Sequence, residues 1–271
     1  MAKLKRSGTA GGKVNIGRLR LIGMVHLPAL PGTAGSKLSM AAIIDRAVEE
    51  AKQLAKAGFD AVIVENFGDA PFAADRVPEE TIAAMSVVID NVVRSSGVPV
   101  GVNVLRNDAL AALAIAATTG AAFIRVNVLS GAYATDQGVI TGRANDVLRK
   151  RAAIAPHVAI AADVHVKHAT PISQPDIALA ADETAHRAGA DVLIVSGTGT
   201  GKATDLEAVR RVKEAVPKTP LWIGSGVTAE TVGDYLEIAD GVIVGTALKR
   251  GGRTTAELDE KRVRDFTRAV S

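Results

Sequence analysis

Eight short β-rich runs alternate with Ala-rich stretches from Leu21 to the end of the chain, and no other feature narrows the choice of fold as far. The runs fall at 21–26, 61–66, 98–104, 123–128, 158–166, 191–196, 220–224 and 241–245. Between them apolar side chains recur at helical spacing, as at Ile43, Ala47, Ala51 and Leu54, ahead of Gly58, a residue suited to end a helix. Thr204-Asp205 and Thr228 are suited to begin others. A weak repeat points the same way: Ala57-Gly58-Phe59-Asp60, Thr119-Gly120-Ala121-Ala122 and Ala188-Gly189-Ala190-Asp191 each precede a run, at spacings of 62 and 69 residues that hold two βα units apiece. No Ser/Pro-rich linker breaks the series, so the pattern is one of successive βα units. Eight such units in about 250 residues predict a single (β/α)8 TIM barrel; the runner-up, a flavodoxin-like doubly wound sheet, usually uses fewer strands.

Hydrophobic residues make up 48% and charged residues 23% of the 271, which suits a large core and excludes disordered and collagen-like chains. The absence of Cys excludes disulfides, zinc–thiolate sites and Cys nucleophiles, leaving carboxylate, His, Lys, hydroxyl or metal chemistry. It also suits a reducing compartment, and a cytoplasmic location is expected. The net charge is +3, but Lys3, Lys5, Arg6 and Lys13 exceed that surplus, and without them the chain stands at −1. Residues 1–17 therefore read as a flexible basic N-terminal leader and 18–271 as the barrel, with Gly8, Gly11 and Gly12 where a secretory signal needs an apolar core. No clustered basic face marks a nucleic-acid partner, and the uncharged run 109–124 is shorter than the roughly 20 residues that span a bilayer.

Barrel enzymes place their sites at the carboxyl ends of the strands, so the register of each strand decides what faces the site. On the fifth run Ile160, Ala162, Val164 and Val166 suit the helix side, which turns Ala159, Ala161, Asp163, His165 and Lys167 inward. The fourth run turns Arg125 and Asn127 inward, the second Ile63 and Glu65, the third Gly101 and Asn103, and the first Met24 and His26; Arg106, Asn107 and His168 follow on loops. Charges facing a barrel interior need partners, and so many at one end describe a ligand site better than a stabilising polar layer. Glu65, Asp163, His165 and Lys167 are the candidate catalytic residues. His165 suits proton transfer because an imidazole as a class exchanges protons near neutral pH, Asp163 suits orienting it or acting itself, and Lys167 suits a Schiff base or an anion. His26, Asn103, Arg106, Arg125 and Asn127 are the candidate substrate-binding residues, whereas His157 and His186 read as structural. The sequence names no cofactor; His26, Glu65, Asp163 and His165 have the donor types of a divalent metal site, although without an HExxH-like spacing.

Two Gly-containing turns follow the seventh and eighth runs, Gly224-Ser225-Gly226 and Gly245-Thr246, 21 residues apart and hence side by side in a barrel. Backbone N–H groups at such turns surround phosphate oxygens, and these are the loops where barrels place a phosphate. The Gly-rich sixth loop, with Ser196, Gly197 and Gly199, borders the same mouth; its Gly201-Lys202-Ala203 departs from the Walker A pattern.

Six segments together resemble the BtpA family (BtpA/SgcQ-like), named for photosystem I biogenesis. They are Ile22 to Gly32, reading Ile-Gly-Met-Val-His-Leu-Pro-Ala-Leu-Pro-Gly, Val64-Glu65-Asn66-Phe67-Gly68-Asp69-Ala70-Pro71-Phe72, Gly101-Val102-Asn103-Val104-Leu105-Arg106-Asn107, Phe123-Ile124-Arg125-Val126-Asn127, Ala162-Asp163-Val164-His165-Val166-Lys167-His168 and Val195 to Gly201. The resemblance runs from about residue 18 to 268 and implies a ribulose-phosphate-binding-type barrel, related to ribulose-phosphate epimerases and tryptophan-pathway barrels. The expected function is acid–base chemistry on a phosphorylated sugar or nucleotide-like metabolite: isomerisation, epimerisation, aldol-type cleavage or hydrolysis. The alternative is a non-catalytic assembly or regulatory protein, peripheral to a membrane, as the family name implies. A phosphorylated small molecule is the expected partner, and a homo-oligomer is among the expectations.

Overall fold

Parallel strands close into a ring when each βα unit returns its next strand beside the last. The computed structural model describes residues 14–270. Its strands are β1 (Leu21–His26), β2 (Ala61–Glu65), β3 (Val100–Asn103), β4 (Phe123–Val126), β5 (Ala132–Thr135), β6 (Gly138–Thr141), β7 (Ala159–Val164), β8 (Ala169–Pro171), β9 (Val192–Val195), β10 (Leu221–Ile223) and β11 (Gly241–Val244). Eight of them form a closed parallel barrel in the order β1-β11-β10-β9-β7-β4-β3-β2, and these match the eight runs read from the sequence. The helices are α1 (Met40–Lys56), α2 (Glu79–Ser96), α3 (Ala109–Thr119), α4 (Ala144–Ile154), α5 (Ile177–Asp182), α6 (Leu206–Ala215), α7 (Val232–Leu236) and α8 (Glu260–Val270).

The alternation of faces follows from the pleat. Ile22, Met24, Ile63, Phe123, Ala159, Ala161, Val192, Ile194, Trp222 and Ile243 pack inside the barrel, while Val25, Val62, Val64, Val102, Ile124, Ile160, Ala162 and Val164 pack under the helices. The alanines leave room at the amino-terminal end for Phe123 and Trp222, which meet edge to face at 5.7 Å. Ile16 and Leu19 close that end. Of the segment read as a leader, 1–13 lie outside the described residues, and the buried Ile16 opens a 3-10 turn (Ile16–Arg18). Asp205 caps α6 by accepting from Glu207 N–H at 3.0 Å, whereas Thr204 donates to Ser225 O at 3.0 Å. Among the described residues no helix is long and apolar enough to cross a membrane.

One feature has no counterpart in the predicted runs: a three-stranded antiparallel sheet, in the order β6-β5-β8, built from the loops after β4 and β7. Its inner residues Tyr133 and Ile140 form a small core with Val128 and Val166 beside the barrel mouth.

Candidate functional site

β4 and β7 run in parallel with Arg125 opposite Ala161, which lets the longer arginine reach across to Asp163, two residues further on. Arg125 donates from Nε to Asp163 Oδ2 at 2.9 Å and from Nη2 to Oδ1 at 2.8 Å. Asn127 Nδ2 donates to Oδ2 at 3.2 Å and Ser196 Oγ to Oδ1 at 3.1 Å, so the carboxylate is occupied on both oxygens. The pair is out of water, with side chains 1% and 0% exposed. Burial works against the charge of Arg125, but the carboxylate and its hydrogen bonds hold the guanidinium pKa above its ordinary value.

His26 and Glu65 are register partners on β1 and β2, with His26 Nε2 3.8 Å from Glu65 Oε1. Asn103, with its side-chain nitrogen turned toward Glu65, donates to Oε2 at 2.6 Å. Burial pushes the His26 pKa well below its usual value, and the charges of Lys249, Lys167, Arg125 and Arg46 push the same way. The imidazole is therefore neutral at physiological pH, and its Nδ1 is buried without a partner among the described residues. Lys249 itself is fully buried after β11 and pairs with Glu50 Oε2 of α1 at 2.5 Å.

These groups open onto a cavity of about 200 Å³. Met24, His26, Arg125 and Lys167 line it together with the turns at 224–228 and 245–247 and with Thr200 and Gly201 of the sixth loop. In the turns, Gly224 N–H donates to Val195 O at 2.8 Å and Thr228 N–H to Thr231 Oγ1 at 3.1 Å. The N–H groups of Ser225, Gly226, Val227, Thr246 and Ala247 make no hydrogen bond to another described residue. Two glycines make this close approach possible. A Cβ on Gly226, whose φ is +71°, would lie 2.2 Å from Lys202 O, and one on Gly245 would lie 2.6 Å from His26 Cε1.

The sequence candidates thus separate into layers. His26, Arg125, Lys167, Gly224, Ser225, Gly226, Gly245 and Thr246 line the cavity. Glu65, Asp163, Asn103 and Asn127 stand behind them through the bonds given above. Arg106 donates to Lys167 O at 2.6 Å and so holds the loop that carries the lysine. Ser196 is spent on Asp163, and Gly197 N–H donates to Ser225 Oγ at 2.9 Å. Gly199 packs near His168, whose Nε2 accepts Thr200 N–H at 3.1 Å and pins the sixth loop. His165 is not brought into the cavity. The strand ends at Val164, and His165 takes a φ of +50°, so the inward alternation stops before it. Its Nε2 meets Gln174 O at 2.9 Å and its ring stands 6.2 Å from Tyr133. Among the described residues no three His, Asp or Glu side chains gather as a metal-holding group. Sequence reasoning missed Lys249, because its partner lies 199 residues away.

Comparison with known proteins bears on this arrangement. The BtpA family model matches residues 18–271. The photosystem I biogenesis protein BtpA of Synechocystis sp. is 45% identical over 251 residues, covering 93% of this chain and 88% of that protein. Among solved structures, the native KDPGal structure superposes with a TM-score of 0.59 at 15% identity, covering 93% of this chain and 95% of the other. Phosphoribosyl anthranilate isomerase from Thermus thermophilus does so with a TM-score of 0.56 at 9% identity, covering 92% and 98%. At these identities the structural likenesses establish the TIM-barrel fold alone.

Proposed function

The chain belongs to the BtpA family, and from that membership and the geometry of the cavity we propose that it is an enzyme acting on a phosphorylated sugar or nucleotide-like metabolite. The observation that carries the reading is the set of unbonded N–H groups of Ser225, Gly226, Val227, Thr246 and Ala247, in turns that line a cavity together with His26, Arg125 and Lys167. Unpaired N–H groups converging from two adjacent turns favour an anion with several oxygens, and phosphate is such an anion. The phosphoribosyl substrate in the name of the Thermus thermophilus isomerase, which shares the fold, agrees with this reading.

With the phosphate held there, the carbon end of the ligand lies against His26, Arg125 and Lys167. A neutral imidazole accepts a proton from carbon beside a carbonyl, Glu65 behind it stabilises the imidazolium that results, and Arg125 faces the negative charge that develops on oxygen. Asp163, with both oxygens occupied, orients Arg125. Isomerisation, epimerisation and carbon–carbon cleavage share this step. The test is thermal unfolding with inorganic phosphate, sugar phosphates and nucleotides, with and without Mg²⁺. Stabilisation by phosphate compounds, lost in Thr246→Glu, supports the reading; equal behaviour of the two proteins sinks it.

A second reading rests on the name of the Synechocystis relative, a photosystem I biogenesis protein. In that reading the barrel serves assembly, and the cavity senses a ligand. Replacing His26 by Gln separates the two, since turnover of a phosphorylated substrate would vanish while an assembly phenotype in a host lacking its own copy would persist.

A further inference from the structure

Lys167 stands out in the cavity because no carboxylate is paired with it directly. No carboxylate lies within ion-pairing distance of Nζ, and Nζ makes no hydrogen bond, among the described residues. Its backbone is nevertheless fixed, since Arg106 holds the Lys167 carbonyl at 2.6 Å. The neighbouring acids are committed elsewhere: Asp163 to Arg125, Asn127 and Ser196, and Glu65 to Asn103 and His26. Two guanidiniums, of Arg125 and Arg106, already supply fixed positive charge, and a guanidinium does not give up its proton. The phosphate wall is built from backbone and does not require the lysine.

From this placement we propose that Lys167 is a nucleophilic amine that forms an imine with the carbonyl of a phosphorylated aldose or ketose. The proposal rests on the phosphate reading given above. Burial and the charge of Arg125 lower the Lys167 pKa against the opposing pull of Glu65 and Asp163, which favours the unprotonated amine. The amine nitrogen attacks the carbonyl carbon, its surplus proton passes to the oxygen, and a carbinolamine results. With one further proton, taken from solvent, the hydroxyl leaves as water and the nitrogen–carbon double bond forms. The net change is amine plus carbonyl plus proton giving iminium plus water. The iminium then accepts the electron pair of an adjacent C–H or C–C bond.

The full-length chain is incubated with dihydroxyacetone phosphate, glyceraldehyde 3-phosphate or ribulose 5-phosphate and cyanoborohydride, then weighed intact and mapped by peptide mass. One adduct per chain on the peptide bearing Lys167 is expected, suppressed by excess inorganic phosphate. The adduct is absent from Lys167→Arg and retained in Lys202→Arg. Should Lys167→Arg fail to fold, Lys167→Met serves in its place. Adducts scattered over surface lysines, or none on Lys167 while phosphate still raises the melting temperature, overturn the imine and leave the phosphate reading intact. Labelling of Lys167 by unphosphorylated glyceraldehyde without any phosphate stabilisation would keep the amine and remove the phosphate.

Discussion

Replacing Asp163 by Ala strips the buried Arg125 of its carboxylate. Both side chains are essentially out of water, and the carboxylate accepts four hydrogen bonds, two of them from the guanidinium. Breaking one partner of such a pair costs roughly 3–5 kcal/mol, because the remaining charge stays buried and unpaired. A domain of this size loses roughly 2–4 °C per kcal/mol, so a fall of roughly 6–20 °C in melting temperature is expected. The matching experiment removes both charges, as Arg125→Met with Asp163→Leu. Two apolar groups of similar volume avoid the uncompensated charge, so the double variant should recover most of the loss in urea unfolding. It should also lose phosphate-ligand stabilisation, because the cavity would lack the guanidinium of Arg125. A double variant no more stable than Asp163→Ala would refute the buried-charge argument, and one that binds as before would refute the assignment of the pair to the site.

The neutral state of His26 has a consequence for pH. Its folded pKa is lowered, so the unfolded chain binds more protons below the ordinary histidine value of about 6.5, and stability falls as pH drops from there toward the folded pKa, by at most about 1.4 kcal/mol per pH unit. His168, whose pKa is lowered by burial and by Lys167 and Arg106, adds in the same direction, so His26→Gln should flatten the slope of urea midpoint against pH without abolishing it. Gly245→Ala places a methyl 2.6 Å from His26 Cε1 and should cost roughly 1–3 kcal/mol while weakening ligand stabilisation in a thermal scan. Lys249→Met leaves the buried Glu50 with only Arg46 at 3.4 Å, so a loss below the roughly 3–5 kcal/mol of a fully unpaired buried charge is expected in urea unfolding, largely restored by adding Glu50→Leu. For the protein itself, a phosphate ligand at a hundred times its Kd should add about 2.7 kcal/mol, readable as a rise in melting temperature.

The barrel was legible because its signal is local and repeated. Strand runs of three to six residues, each with Val or Ile on its helix-facing side, announce themselves without knowledge of their partners. The small sheet was not legible because β8 is only Ala169, Thr170 and Pro171, which shows no strand pattern of its own. Tyr133 meets Ile140 in a local hairpin, but its pairing with Pro171 joins two different barrel loops and exists only once the barrel has closed. The Lys249–Glu50 pair was hidden likewise, since a lysine in a loop looks solvated until the fold brings α1 against it.

The same distinction explains which part of the candidate site could be read. The cradle consists of backbone, so its requirement is glycine at the close approaches, and Gly226 and Gly245 state that requirement in the sequence itself. The acid–base side depends on where a side chain points, and period-two alternation transmits that only while the chain remains extended. It held through Asp163 on β7 and through His26 on β1, whose last residue is the histidine. It failed at His165, one residue beyond the end of its strand, where a left-handed backbone turns the imidazole toward Gln174. Of two histidines at strand ends, the one still inside its strand is therefore the one that reaches the cavity. If this is right, His165→Gln should leave phosphate-ligand stabilisation and turnover nearly unchanged, whereas His26→Gln should abolish turnover; the reverse ranking would show that the side chains rearrange around the ligand.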